Sequence, residues 1–247
     1  MILQLDVGNT RAKWRVFDGD RVFGRGAELQ ENLLDVLRQE LPNDEELAVQ
    51  VTSVAGNRSL EDLINSLKFS FNVSSIYIAR SVKRMGDVEF GYKIPEHQGV
   101  DRCLAMLAAY SMCLSDYKGV VVVDAGSALT VDVVNCDGRQ IDGYIAPGHS
   151  MLRDSLLGRT SKIEDGYANS DCEGLSTLRC VNSGVSLMFS ELIKKIECMA
   201  AESKYRLVVT GGDAGLVSES VSLDSVVYVP DLVLDGLALA QKQGVGL

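Results

Sequence analysis

Two short turns in this 247-residue chain combine a carboxylate, a glycine and a side-chain hydroxyl or amide. Asp6-Val7-Gly8-Asn9-Thr10 follows an apolar run, and Asp124-Ala125-Gly126-Ser127 follows a second such run 118 residues later. Glycine permits close backbone approach, turn amides can form an anion-binding nest, and a strand-end carboxylate can hold Mg²⁺. Either turn alone is also what an ordinary hairpin requires. Their repetition indicates two hairpins that clamp the phosphates of one nucleotide.

Three further segments place reactive groups beside glycine. In Gly99-Val100-Asp101-Arg102, at a predicted helix start, Asp101 could cap the helix or accept a proton from a substrate hydroxyl. Arg102 could bind an anionic group. The paired glycines of Thr210-Gly211-Gly212-Asp213-Ala214 would let a base or ribose lie against the backbone, or would simply make a tight turn. Gly143–Gly148, a strand that ends in a Pro-Gly turn, is a weaker fifth element.

The elements that must position these turns occur twice. Each half is predicted to open with strand, Asp-x-Gly turn, strand, strand: residues 2–7, 13–17 and 22–26, then 120–123, 129–134 and 140–146. Later strands, at 47–54, 75–79, 206–210 and 225–229, are joined through helices, so each sheet should be mixed. The sequence predicts an α/β protein of two duplicated domains, residues 1–116 and 117–247, with mixed sheets flanked by helices.

Apolar periodicity predicts the helices between these strands. They span about residues 28–41, 59–69, 100–114, 175–202, 214–220 and 232–242. Residues 83–99, which mix glycine, proline and charge, are predicted to form an irregular loop.

Composition and missing motifs exclude several classes of protein. The net charge of −10 disfavours electrostatic binding to nucleic acid or an anionic membrane, and no apolar run is long enough to span a bilayer. The chain lacks G-x-x-x-x-G-K-[ST], G-x-G-x-x-G and G-x-S-x-G, which disfavours Walker kinases, dinucleotide dehydrogenases and esterases. The six cysteines are scattered, so we expect inert thiols rather than a metal or disulfide framework. We expect a cytoplasmic protein.

The five segments, in this order, resemble the signature of type III pantothenate kinase, and the match extends over residues 6–214. That family belongs to the superfamily of acetate and sugar kinases, heat-shock ATPases and actin. Its duplicated ribonuclease H-like domains agree with the repeat described above. Two positions depart from the pattern: Ser127 replaces the usual Thr but keeps the hydroxyl, and Asp142 stands where the family often has Gly.

The resemblance implies ATP-dependent phosphorylation of pantothenate to 4'-phosphopantothenate, the first step of coenzyme A biosynthesis. It assigns the general base to Asp101 and a monovalent cation, K⁺ or NH₄⁺, to Asp124, while Mg²⁺ would accompany ATP. It implies a homodimer with the active site at the subunit interface, where Thr177 reaches the substrate of the other subunit. The implied substrate-binding residues are Tyr92, Gly99, Val100, Asp101, Arg102 and Thr177. The implied ATP-binding residues are Asp6, Val7, Gly8, Asn9, Thr10, Arg11, Ala12, Lys13, Ser127, Gly211 and Gly212.

Two alternatives stay open at this stage. The chain could be another small-molecule kinase of the same superfamily, acting on a sugar or a carboxylate. It could also be a non-catalytic relative that binds nucleotide and regulates a partner. The Asp101-Arg102 pair and Tyr92 argue against the second alternative.

Overall fold

The computed structural model describes residues 1–19, 21–42, 45–54, 56–113, 116–159, 176–221 and 226–245. The strands are β1 Ile2–Val7, β2 Arg11–Asp18, β3 Arg21–Leu29, β4 Leu47–Ser53, β5 Val73–Ile78, β6 Arg84–Met85, β7 Val88–Glu89, β8 Gly119–Ala125, β9 Ala128–Asn135, β10 Gln140–Pro147, β11 Arg206–Thr210 and β12 Val227–Tyr228. The α-helices are α1 Leu33–Glu40, α2 Asn57–Ser70, α3 Val100–Ser111, α4 His149–Arg159, α5 Thr177–Ser203, α6 Ala214–Ser218 and α7 Leu232–Lys242.

Two five-stranded sheets have the same topology. Their strand orders are β3-β2-β1-β4-β5 and β10-β9-β8-β11-β12. In each sheet the three strands that come first in sequence form antiparallel pairs. The other two strands add to the sheet in parallel. The predicted mixed sheets and duplicated ribonuclease H-like fold are therefore confirmed.

Successive side chains of a strand point to opposite faces of the sheet, and one face of each sheet packs against helices in an apolar cluster. In β1, Leu3, Leu5 and Val7 are buried in a cluster that also contains Leu37 of α1 and Leu67 of α2. The second sheet buries its equivalent face in a cluster with α5. Each fully buried aliphatic side chain contributes roughly 1.5–3 kcal/mol. The remaining side chains of β1, those of Ile2, Gln4 and Asp6, belong to the opposite face.

The opposite face of the first sheet carries a polar row in one register line. Arg15, Gln4, Gln50 and Tyr77 are neighbours across β2, β1, β4 and β5. Gln4 Nε2 donates to Gln50 Oε1 at 2.7 Å, and Arg15 Nε donates to Gln4 Oε1 at 2.9 Å. Hydrogen bonds and ion pairs extend the row to α7 and the residues around it.

Helix α7 packs with the first sheet rather than the second. The two compact units are Met1–Met112 with Asp231–Leu247, and Cys113–Pro230. Arg15 Nη1 lies 2.8 Å from Asp235 Oδ1, and the Gln50 amide donates to Gln241 Oε1. This division differs from the predicted halves 1–116 and 117–247. Periodicity shows that residues 232–242 form a helix, but it does not show which of the two sheets the helix packs with.

Several boundaries differ from the sequence prediction for local reasons. Strand β3 extends to Leu29, which pairs with Arg11, and a 3-10 turn at Gln30–Asn32 follows, so α1 begins later than residue 28. Helix α4 was not predicted. The predicted loop 83–99 contains the β6–β7 hairpin and a 3-10 turn at Pro95–His97.

Some predictions fall partly outside the described residues, among them Cys172 and the start of the helix at 175. The five cysteines within the described residues are free thiols. In that same part of the chain, no helix combines the length and apolarity that crossing a bilayer requires.

Candidate active site

The first glycine turn is held by its own backbone and by one glutamine. Gly8 N–H donates to Arg11 O at 3.0 Å, and the backbone amide of Gln30 donates to Thr10 O at 3.2 Å. The Gln30 side chain also donates to Gly8 O. Asn9 and Thr10 are exposed at the tip. The sequence analysis did not identify Gln30, because no local pattern links it to a turn more than twenty residues earlier.

Asp6 lies at the end of β1 between two polar register partners. Lys13 of β2 is on one side and Thr52 of β4 is on the other. Thr52 is fully buried, and its Oγ1 has no hydrogen-bond partner within the described ranges. A polar atom in that state favours an added water or ligand next to it. The donor set at Asp6 therefore fits a hydrated divalent cation that arrives with phosphate oxygens.

The second chemical group lies at the start of α3. Gly99 precedes the helix, and Asp101 Oδ1 accepts a hydrogen bond from the Arg102 amide at 2.7 Å. A Cβ at position 99 would lie 2.4 Å from that same oxygen. A side chain at position 99 would therefore displace the Asp101 carboxylate from its place beside the Arg102 amide. Asp101 itself is half-buried.

Arg102 and Tyr92 form a pair beside Asp101. Arg102 Nη1 donates to the Tyr92 hydroxyl at 2.9 Å, and the guanidinium carbon lies 5.7 Å from the centre of the Tyr92 ring. Arg102 is only 6% exposed. The sequence motif and the resemblance pointed to these two residues separately, and the structure brings them into direct contact.

A cavity of about 710 Å³ adjoins the start of α3. We call it the β5–α3 cavity; its lining includes Gly99 and Val100, the end of β4 at Ser53, and Ile78–Val82 at and beyond the end of β5. Sites for small molecules usually have volumes of roughly 300–1,000 Å³. No local sequence pattern predicts this cavity, because its lining comes from segments that are separate along the chain.

In the second unit, the loop 124–127 is flanked by two of the other motifs. Gly148 N–H donates to Ser127 O at 3.0 Å, and Asp213 N–H donates to Ala125 O at 2.8 Å. Gly211 has φ +99°, and a Cβ there would lie 2.3 Å from Ala125 O. Three motifs that are distant in sequence therefore meet at one loop. The positive φ of Gly211 and the closeness of Ala125 O both favour glycine at position 211.

Asp124 ends β8 much as Asp6 ends β1. It is half-buried, and its register partners are Thr130 of β9 and Thr210 of β11. Its carboxylate supplies the hard oxygen that alkali and divalent cations prefer. Within the described residues, no group of three or more His, Cys, Asp or Glu side chains could by itself hold a metal ion.

The remaining predicted residues lie on the surface of the second unit. Thr177 is the first residue of α5 and is exposed, and the helix is capped by Ser176, which accepts from the Arg179 amide at 3.1 Å. Asp142, which departs from the family pattern, is exposed on β10 and accepts a hydrogen bond from the Tyr144 hydroxyl. That hydrogen bond raises the pKa of the Tyr144 phenol above its usual value.

Comparison with known proteins agrees with this geometry. The model of the family described as type III pantothenate kinase matches residues 2–198. The type III pantothenate kinase of Pseudomonas aeruginosa strain LESB58 is 35% identical over 255 residues, which cover 97% of this chain and 98% of that protein. That of Alcanivorax borkumensis strain SK2 is 34% identical over 248 residues, 96% of this chain and 97% of that protein.

A solved structure with low sequence identity to this chain has a similar fold. A Baf family protein from Campylobacter jejuni superposes with a TM-score of 0.59 at 18% identity, over 98% of each chain. Since the family model covers most of this chain and relatives match almost its full length, the chain belongs to the type III pantothenate kinase family.

Proposed function

We propose that the protein transfers the γ-phosphoryl group of ATP to the primary hydroxyl of pantothenate. The product is 4'-phosphopantothenate, and the reaction is the first step of coenzyme A biosynthesis. One observation carries the proposal: in a member of the type III pantothenate kinase family, Asp101 and Arg102 lie at the start of α3, and Arg102 donates to Tyr92.

Asp101 acts on the acceptor alcohol. Phosphoryl transfer passes through a loose transition state, so orientation and charge neutralisation provide most of the rate enhancement. The carboxylate accepts a hydrogen bond from the pantothenate hydroxyl, aligns its oxygen with the γ-phosphorus, and takes the proton late in the transfer. General-base assistance of this kind contributes about 10²–10⁴-fold. Arg102, buried against Tyr92, supplies a fixed positive charge close by.

The donor nucleotide is assigned to glycine loops in both units. In the first unit, residues 6–13 offer backbone amides and the Lys13 ammonium to phosphate oxygens. In the second unit, Ser127 supplies a hydroxyl, and Gly211 and Gly212 leave backbone accessible to the adenosine. These assignments follow the resemblance, and the hydrogen bonds that join the loop 124–127 to Gly148 and Asp213 support them.

Two cations complete the proposed site. Asp6 would hold Mg²⁺, directly or through water, and Asp124 would hold a monovalent cation, K⁺ or NH₄⁺. Bound cations neutralise the negative charge of the polyphosphate. The chain's own contribution is a half-buried carboxylate at the end of the first strand of each sheet. A chain with net charge −10 and no Walker lysine needs such cations to attract ATP.

A homodimer belongs to the same proposal. Edge strand β10 is exposed over residues 141–145, and α5 exposes Leu187 and Met188 to more than 60% each. Long exposed edges and apolar side chains of this size favour an interface. Thr177 starts the same helix. A second copy docked on this surface would carry Thr177 to the pantothenate of its partner.

We place the reaction in the cytoplasm, where ATP is available. The free thiols of the described cysteines are consistent with a reducing compartment.

The test is a coupled assay of ADP release with ATP and Mg²⁺, with and without K⁺. Pantothenate is compared with sugars and with short carboxylates as acceptors. Turnover that depends on pantothenate supports the proposal, and turnover with another acceptor would show a different kinase of the superfamily. ATP binding without pantothenate-dependent ADP release would indicate a non-catalytic nucleotide-binding protein.

A further inference from the structure

Arg80 stands at the edge of the first sheet where a ligand is expected. It follows Ala79, whose N–H donates to Val51 O at 2.9 Å and so continues the parallel pairing of β5 with β4. Arg80 is therefore just beyond the carboxyl end of β5, and ligands of α/β sheets bind at the carboxyl ends of parallel strands. It is exposed, and it lines the β5–α3 cavity.

The positive charge of Arg80 is uncompensated in the part of the chain that the structure describes. Within those residues, no carboxylate forms an ion pair with it, whereas Arg15, Arg38 and Arg84 each have one within 3.0 Å. Glu96 lines the same cavity, but it forms no ion pair with Arg80 within the described residues. A guanidinium presents a planar fork of donors that matches a carboxylate in a two-point contact.

The cavity has two chemically different regions. Gly99, at one part of the wall, underlies the Asp101 carboxylate. Arg80 belongs to another segment of the wall, and apolar side chains of Val54, Leu60, Ile78 and Val100 also line the cavity. The wall also includes Glu96. Its apolar surface, the nearby Asp101 carboxylate and the Arg80 guanidinium would together suit an acceptor that carries an alcohol, an apolar part and an anion.

Pantothenate has this order of groups: a primary hydroxyl, a dimethyl-substituted carbon, an amide and a terminal carboxylate. Its extended length of about 11 Å follows from ordinary bond lengths. The cavity volume of about 710 Å³ lies within the usual range of small-molecule sites, so the cavity has room for an acceptor of this size beside Asp101.

We propose that the β5–α3 cavity binds the tail of the acceptor and that Arg80 selects substrates by pairing with the terminal carboxylate. This inference rests on the proposed function for the identity of the acceptor. It assigns Arg80 a role separate from that of Arg102, whose guanidinium is buried and donates to Tyr92. Arg80 sets which acceptor binds, and Asp101 acts on the hydroxyl.

The experiment compares pantothenate with its neutral primary amide, in wild type and in Arg80→Gln. Binding is measured by calorimetry on the full-length protein, and turnover is measured separately with ATP. Wild type should prefer pantothenate by about 10–100-fold, as loss of a charge-assisted contact predicts. Arg80→Gln should weaken pantothenate binding by about that factor and leave amide binding and the KM for ATP nearly unchanged. Arg80→Lys should retain part of the preference.

Arg84→Gln is the matched control, since Arg84 is an exposed arginine on β6 that pairs with Glu89 and is not part of the cavity wall. It should leave the preference for the carboxylate intact. If Arg80→Gln keeps the wild-type preference, or weakens both acceptors equally, the inference is wrong. If pantothenate binds in an Arg80-dependent way without turnover, the inference stands and the proposed function fails. If pantothenate is turned over and Arg80→Gln keeps the wild-type preference, the inference is wrong and the proposed function stands.

Discussion

Thr52 lies directly beside Asp6 across the parallel pairing of β1 and β4. The second unit repeats this relationship, with Thr210 beside Asp124 across β8 and β11. Both threonines are buried, and both aspartates are half-buried at the carboxyl ends of their strands. The repeat therefore preserves the polar neighbour of each aspartate as well as the Asp-x-Gly turns.

The first prediction concerns chemistry at Asp101. Asp101→Asn keeps the size of the side chain and removes its ability to take a proton, so kcat should fall by about 10²–10⁴-fold. Pantothenate binding, measured by calorimetry without ATP, should change much less. A turnover number close to that of wild type would show that Asp101 is not the base.

The second prediction compares two adjacent glycines. Gly211→Ala places a Cβ 2.3 Å from Ala125 O at φ +99°, whereas a Cβ on Gly212 would meet nothing within 4 Å. Gly211→Ala should lower the free energy of unfolding by about 2–4 kcal/mol. Gly212→Ala should change it by less than about 0.5 kcal/mol. Denaturant unfolding of the two variants measures the difference, and equal losses would contradict the close approach.

The third prediction concerns the packing of α7 on α3. A Cβ on Gly236 would lie 2.0 Å from Leu104 O, so Gly236→Ala must push the helices apart and should cost about 1–3 kcal/mol. Because α3 begins at the proposed active site, the KM for pantothenate should rise as well. Gly158→Ala in α4, where a Cβ would meet nothing within 4 Å, is the control and should be neutral or stabilising.

The fourth prediction concerns alkaline stability. Tyr77 is buried and donates to Val245 O, and burial raises the pKa of its phenol above 10.0. The folded state therefore keeps this proton at pH values where the unfolded state loses it, so stability is full below about pH 10 and falls above it. In Tyr77→Phe, unfolding monitored between pH 9 and pH 11 should show a shallower decline. An unchanged slope would exclude Tyr77 as a contributor.

The fifth prediction tests the proposed dimer surface. Leu187→Glu places a charge on the exposed apolar part of α5 and should shift the protein toward monomer in light scattering, with loss of turnover. Phe69→Glu, an equally drastic change at a side chain of α2 that is 90% exposed in the first unit, is the control. If Leu187→Glu stays in the wild-type assembly state, the second copy docks elsewhere.

Much of the fold could be predicted because its signals are local. A short, nearly continuous run of buried residues defines β1 and β8, and the bounds of α7 were predicted correctly from periodicity. The location of α7 depends on contacts with Arg15 and Gln50, which lie about 200 residues away along the chain and leave no local pattern.

The same distinction applies to the candidate site. Gly99 and Gly211 could be singled out because a glycine beside reactive groups is visible in a short motif. The structural reasons, a carboxylate oxygen at one and a carbonyl oxygen at the other, appear only in three dimensions. Gln30, Thr52 and Arg80 were missed because their importance comes from a neighbouring strand or from a cavity.

The placement of α7 has a consequence for how this protein is made. The first unit is discontinuous, since its last helix is translated only after the entire second unit. During synthesis, α3 and the polar row on the first sheet stay uncovered until residues 232–242 leave the ribosome. A chain cut short before Asp231 would leave Arg15 without its two carboxylate partners and would expose the apolar face of α3 to water. Such a fragment would be prone to aggregation and proteolysis.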